Sequence, residues 1–250
     1  MNGEVLIELD GVDVLSEGGT SPLLRGVNWR IVRGECWAVG GAPGAGKSSL
    51  LATAASLNHP GSGTMRMFAR DLAEVTEEEQ VDWRRRIGYV FENGGRLLNH
   101  LTVAQNVALP LRYHLDIDEA QVGERVEELL ARAELQTQAP AMPSRLNVRM
   151  QQRASLARAL AVPTEVLFLD NPLSGLSSRD ARWWIEYLHE LRRDRNTGGA
   201  ALTVVATCDD FRPWIDLATH FALIDGEQFR ELGGREQVLA STEPVVRELL

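Results

Sequence analysis

The sequence predicts an α/β domain, a mainly parallel sheet covered by helices on both faces, with a helical lobe inserted into it. Three observations carry this expectation. Short apolar runs at residues 35–40, 87–91, 166–169, 202–206 and 221–224 read as buried strands, and helical stretches separate several of them. That alternation is the mark of parallel strands joined by crossovers. The run at 35–40 enters a glycine-rich turn and then a helix-like stretch at 47–57, a strand–turn–helix unit. Between about residues 96 and 160 the periodicity is helical, at 103–111, 117–133 and 151–161, and no segment reads as a strand.

The remaining elements follow in order. Residues 5–9 alternate like an edge strand. Pro140 and Pro143 punctuate the lobe just before its last helix. Trp183 and Trp184 fall in a helix after Ser177, one expected to pack inward and the other to stay partly exposed. The run Arg84 to Arg86 precedes a strand and reads as a solvated face.

Composition narrows the function. With 250 residues and 44% hydrophobic content, the chain can bury the core of one large domain. Its net charge of −9 argues against nucleic acid as a partner. There is no run of 18 apolar residues, and the opening residues show no secretory pattern. Cys36 and Cys208 lack metal-ligand spacing, and none of the five histidines has it either. A reduced cytoplasmic setting is the simplest expectation.

The strongest chemical signal is Gly41-Ala42-Pro43-Gly44-Ala45-Gly46-Lys47-Ser48, followed by Ser49. It matches G-x-x-x-x-G-K-[ST] in the strand-to-helix context that the motif requires. Glycines let the backbone wrap around phosphate with its N–H groups turned inward, and the following helix adds its positive end. Lys47 would reach the β- and γ-phosphates, and the Ser48 hydroxyl would bind Mg²⁺. A second element, Val166-Leu167-Phe168-Leu169-Asp170, is a buried strand ending in an acid. It would deliver Asp170 to the sheet's C-terminal edge beside the loop, where a carboxylate can hold Mg²⁺.

With these two elements and the lobe between them, the chain resembles the ATP-binding subunits of ABC transporters over nearly all of its length. Residues 91–112 and 243–250 resemble the branch serving Mce/Mla-type phospholipid transport. The resemblance implies a P-loop NTPase fold with an N-terminal antiparallel β part. It implies an α/β core from residues 1–92 and 161–250, and a helical subdomain at about 93–160. It further implies ATP and Mg²⁺ as ligands, and integral membrane permease subunits as partners. The chain would dimerise with itself or with another such subunit, on the inner face of the cell membrane.

Against that resemblance the sequence departs at five nucleotide-facing places. Position 92, where the resemblance implies a glutamine at the Mg²⁺, is Glu92, still able to ligate a cation. The signature Leu-Ser-Gly-Gly-Gln reads Leu146-Asn147-Val148-Arg149-Met150. There Asn147 can cap a helix and Arg149 can offer charge. The water-polarising glutamate is replaced by Asn171, the dimer-contacting aspartate by Ser177 and the switch histidine by Cys208. An amide can orient water but cannot accept its proton. No aromatic for stacking adenine occurs at residues 10–19. The expectation is a Mg-ATP-binding subunit that hydrolyses poorly or not at all. Two alternatives stay open: an ATPase whose base is Glu92, Asp209 or Asp210, and an ABC-like regulatory module outside transport.

Overall fold

The computed structural model describes residues 3–16, 18–19, 21–92, 96–193 and 202–250. Residues 93–95 of the 91–112 stretch, and residue 17, lie outside them.

Strands β1 (Val5–Leu15), β2 (Pro22–Val32), β4 (Ser62–Met67) and β5 (Arg70–Asp71) form an antiparallel sheet in the order β2-β1-β4-β5. The main sheet has the order β10-β9-β3-β8-β7-β6. It contains β3 (Cys36–Gly41), β6 (Ile87–Val90), β7 (Val166–Leu169), β8 (Thr203–Cys208), β9 (His220–Asp225) and β10 (Gln228–Gly233). All its pairings are parallel except the β9–β10 hairpin.

Because side chains alternate across a strand, the central strands feed two cores. Trp37, Val39, Val166, Phe168, Val205 and Ile224 pack beneath the antiparallel sheet and helix α1 (Lys47–Ala54). Cys36, Ala38, Leu167, Leu169, Val204 and Ala206 face the opposite way. There they meet Trp184 and Leu188 of helix α6 (Ser178–Arg193), together with Phe211 and Trp214. Burial on both faces explains the unbroken apolar runs in these strands. Trp184 is fully buried, while Trp183 is half-buried and lies between Tyr187 and the Arg153 guanidinium.

Residues 5–9 do not form an edge strand, because β1 is flanked by β2 and β4. The lengthening of β1 and the presence of β2 are hidden in sequence by a phase shift. Leu24 and Val27 both point inward, three positions apart, around Gly26. The register between β1 and β2 slips over Leu9 to Val12. Asn28 Oδ1 accepts the Gly11 N–H at 3.0 Å, and Asp13 Oδ1 accepts the Gly26 N–H at 2.9 Å. The irregularity is therefore hydrogen-bonded rather than loose. Helix α2 (Glu77–Arg85) opens on a capping box of Thr76 and Glu79.

The Arg84 to Arg86 run also differs from its sequence reading. Arg86 pairs with Glu165 and lies 3.4 Å over the Phe68 ring, and Arg85 donates to the His114 carbonyl at 2.6 Å.

Helices α3 (Val103–His114), α4 (Glu119–Arg132) and α5 (Val148–Ala159) enclose a third core around Val107, Leu111, Val126, Leu129 and Ala157. Thr102 with Gln105, and Asp118 with Gln121, close capping boxes on α3 and α4. Fully buried Asn106 ties the lobe's entry loop to α3. Its Oδ1 accepts the Leu98 N–H at 2.8 Å, and its Nδ2 faces the carbonyls of Leu98, Leu101 and Thr102 at 3.0–3.1 Å. Replacing Asn106 by Leu strands these buried groups, and should cost about 2–4 kcal/mol in urea unfolding. A loss near zero contradicts the anchoring role.

Candidate functional site

The C-terminal ends of β3, β7 and β8 lie side by side, with Gly40 opposite Cys208 and Leu169 opposite Ala206. The loops leaving them surround a cleft of about 470 Å³. One wall is the loop from Gly41 to Lys47. Gly44 and Gly46 there have φ of 79° and 95°, conformations that a side chain disfavours. Gly46 also caps α1, whose first residues are Lys47, Ser48 and Ser49. All three line the cleft with Pro43, Gly44 and Gly46. Ala42 and Ala45 hold the loop's shape, the Ala45 N–H donating to the Ala42 carbonyl at 3.1 Å.

Lys47 is buried. Its Nζ donates to the carbonyls of Gly41 at 2.6 Å and Ala42 at 3.0 Å, and sits 2.9 Å from Asp209 Oδ1. Asp170 is 5% exposed, and its Oδ1 accepts from Ser48 Oγ and Thr207 Oγ1, both at 3.0 Å. Burial pushes this carboxyl above the ordinary range. The two hydroxyl bonds and Lys47 pull the other way, and Glu92 adds to the rise.

Asn171 joins the remaining groups. Its backbone N–H donates to Thr207 Oγ1 at 2.8 Å, and its Nδ2 donates to Asp209 Oδ2 at 2.8 Å and Glu92 Oε1 at 3.2 Å. Its φ of 44° is unusual for a residue with a side chain. Burial alone would raise the Asp209 carboxyl, but the bonds from Lys47 and Asn171 outweigh it and hold it below the carboxylate range. The carboxylate and amide at positions 92 and 171 stand in the reverse order to that implied by the resemblance, and they touch.

Not every sequence candidate reaches the cleft. Cys208 projects with Val204 and Ala206 into the second core, and burial pushes its thiol far up. It does not line the cleft; the strand's alternation turns Thr207 to the opposite side, where it is buried and donates to Asp170. The apolar run at 202–206 stops short of Thr207, and extending its period-2 pattern by one residue points to it. The signature-like residues, which the resemblance sets against the nucleotide of an opposite subunit, lie in the helical lobe. Leu146 is buried in the lobe core, Asn147 Oδ1 caps α5 by accepting the Met150 N–H at 2.9 Å, and Met150 packs against that core. Val148 is 50% exposed. The charge of Arg149 is committed to Asp180 at 2.8 Å, and Ser177 Oγ donates to the same carboxylate at 2.7 Å.

The Asn171 geometry makes a direct prediction. Asn171→Asp sets a third carboxylate against Glu92 and Asp209, raising its folded-state pKa. The penalty, about 1–3 kcal/mol, should be full above that pKa and vanish as pH falls below the unfolded value near 4. Urea unfolding at pH 7.5 and pH 4 checks it; a cost independent of pH contradicts the bridging geometry.

A protein-family model described as ABC transporter matches residues 24–174. The sulfate/thiosulfate import ATP-binding protein CysA of Caulobacter vibrioides is 34% identical over 223 residues, covering 88% of this chain and 62% of the relative. The methionine import ATP-binding protein MetN of Rhizobium etli is 32% identical, covering 96% of this chain and 64% of the relative. The macrolide export ATP-binding/permease protein MacB of Shigella flexneri is 34% identical over 90% of this chain, which spans only 34% of that protein. The dimeric structure of the bacterial ABC transporter cassette MJ0796 superimposes with a TM-score of 0.80 at 27% identity, covering 92% of this chain and all of the other. A second structure of that cassette, in a post-hydrolysis state bound to ADP and Pi, gives 0.79. The predicted fold class is thus the one found, and the chain belongs to the ABC transporter family.

Proposed function

We propose that this chain binds Mg-ATP in the cleft as an ATP-binding subunit of an ABC transporter, and that it hydrolyses the nucleotide slowly. The observation that carries the reading is the contact of Ser48 Oγ with Asp170 Oδ1 at the start of α1. Two hard oxygen donors, one of them a carboxylate, stand beside a phosphate-type loop and a helix N-terminus. That donor set suits Mg²⁺, which keeps most of its shell for water and phosphate oxygens. Glu92 lines the same cleft and adds a third oxygen donor. When bound, the metal neutralises charge on the β- and γ-phosphates. Lys47 supplies a point charge to the same groups, and the loop's N–H groups orient them.

The slow step follows from Asn171. Its amide can hold a water molecule but cannot take a proton from it, and the loss of general-base help costs about 10²–10⁴-fold. Binding energy then does the work, favouring association of subunits in the liganded state. The partner would be a second copy or another ATP-binding subunit, with Val148 at the exposed tip of α5 facing it, and membrane permease subunits would complete the assembly. Among the described residues no helix is long and apolar enough to cross a membrane. The likeness of residues 91–112 and 243–250 to the Mce/Mla-type branch supports a phospholipid cargo. The relatives' names, covering sulfate, methionine and macrolides, fit a domain whose cargo is chosen elsewhere.

Equilibrium binding tests the reading. The parent should bind Mg-ATP, and Lys47→Ala should weaken it at least ~30-fold through loss of one buried charge pairing. Asp170→Asn should lose the Mg²⁺-dependent part of the affinity while leaving metal-free binding nearly unchanged. Equal binding by parent and Lys47→Ala rejects the site.

A further inference from the structure

Lys47 is the group a nucleotide's phosphates need, yet the structure shows each of its three N–H donors matched by an oxygen of the chain itself. Two of those acceptors, the carbonyls of Gly41 and Ala42, belong to the phosphate loop and carry no net charge. The third, Asp209, is an anion reaching in from the end of β8. Its side chain is 45% exposed against 9% for Lys47, so the acid is the member of the pair with room to swing away. The neighbouring Asp210 cannot take its place, because its carboxylate is spent on the Arg212 guanidinium at 2.7–3.0 Å. Asn171 Nδ2 grips the second Asp209 oxygen and is itself anchored through Glu92 and Thr207.

We propose that Asp209 is an internal counter-ion that competes with nucleotide phosphates for Lys47 and thereby sets the affinity of the site. Asp209 is a positioning residue, acting through Lys47. This inference rests on the Mg-ATP reading above and adds a regulation of the same site. A phosphate oxygen arriving at Lys47 exchanges one ion pair for another, so the gain from binding is only the difference between them. The displaced carboxylate keeps its tether to Asn171 and returns when nucleotide leaves. The Asn171 amide thus serves as the hinge pin of the exchange, a use that a carboxylate at that position could not serve, because it would repel Asp209.

The test is the dissociation constant for Mg-ATP of the parent, Asp209→Asn and Asp209→Glu. Because one partner of the pair is half in solvent, the expected gain for Asp209→Asn is moderate, about 3- to 30-fold tighter binding. Asp209→Glu, whose carboxylate still reaches, should return to near the parent value. A residue with a merely structural role would give the opposite sign, since damage to the site weakens binding. Should the asparagine variant fold poorly by circular dichroism, Asp209→Ser answers the same question. Equal or weaker binding by a folded, neutral variant, with the parent binding normally, overturns the counter-ion role alone. Failure of every folded form to bind Mg-ATP overturns the nucleotide reading and this inference together.

Discussion

The carboxylate of Asp170 is the constraint on which the site depends. It sits at the end of a strand whose four residues are fully buried, and leaving it there without partners would be costly. Ser48 on α1 and Thr207 on β8 both donate to the same oxygen. In satisfying one buried charge they tie the loop–helix unit to the ends of two strands. Thr207 then accepts the Asn171 N–H, which fixes the backbone in its unusual φ and aims the amide across the cleft. The cleft's shape follows from the desolvation of one acid and the hydroxyls that offset it.

The charged groups around that anchor are balanced with little to spare. Among the described residues that line the cleft, Lys47 is the one cation, against Glu92, Asp170 and Asp209. Such an excess of acid suits a site that recruits Mg²⁺, because a divalent cation restores neutrality while carboxylates alone would repel a triphosphate. Asn171 contributes by being neutral. It bridges two acids that would otherwise face each other, and an acid in its position would raise the repulsion. A neutral amide at position 171 keeps this crowded arrangement together.

The sequence made the parallel core readable because β3, β7, β8 and β9 are buried on both faces, leaving uninterrupted apolar runs. The phosphate loop was equally open to reading, since its turn residues and helix start are local chemistry. The antiparallel sheet was mostly hidden. The phase break around Gly26 and the register slip after Leu9 spoil the alternation that marks a half-buried strand. Pairings between distant residues could not be seen at all. Arg86 meets Glu165 and Arg149 meets Asp180 only after the chain has folded, and no local pattern in the sequence signals either pair. The resemblance sets Cys208 at the switch position, but strand alternation turns it into the core and sets Thr207 against Asp170.

The proposed function holds that nucleotide is bound and only slowly cleaved. Its most direct test is the chemical fate of ATP bound to the purified chain with Mg²⁺, followed over time after rapid isolation of the complex. Starting from a typical enzymatic turnover near ~10 s⁻¹, a general-base loss of about 10²–10⁴-fold gives bound ATP a half-life between about 7 s and about ten minutes. Conversion to ADP at an unslowed ~10 s⁻¹, lost in Lys47→Ala, would contradict the claim and require a proton acceptor other than Asn171.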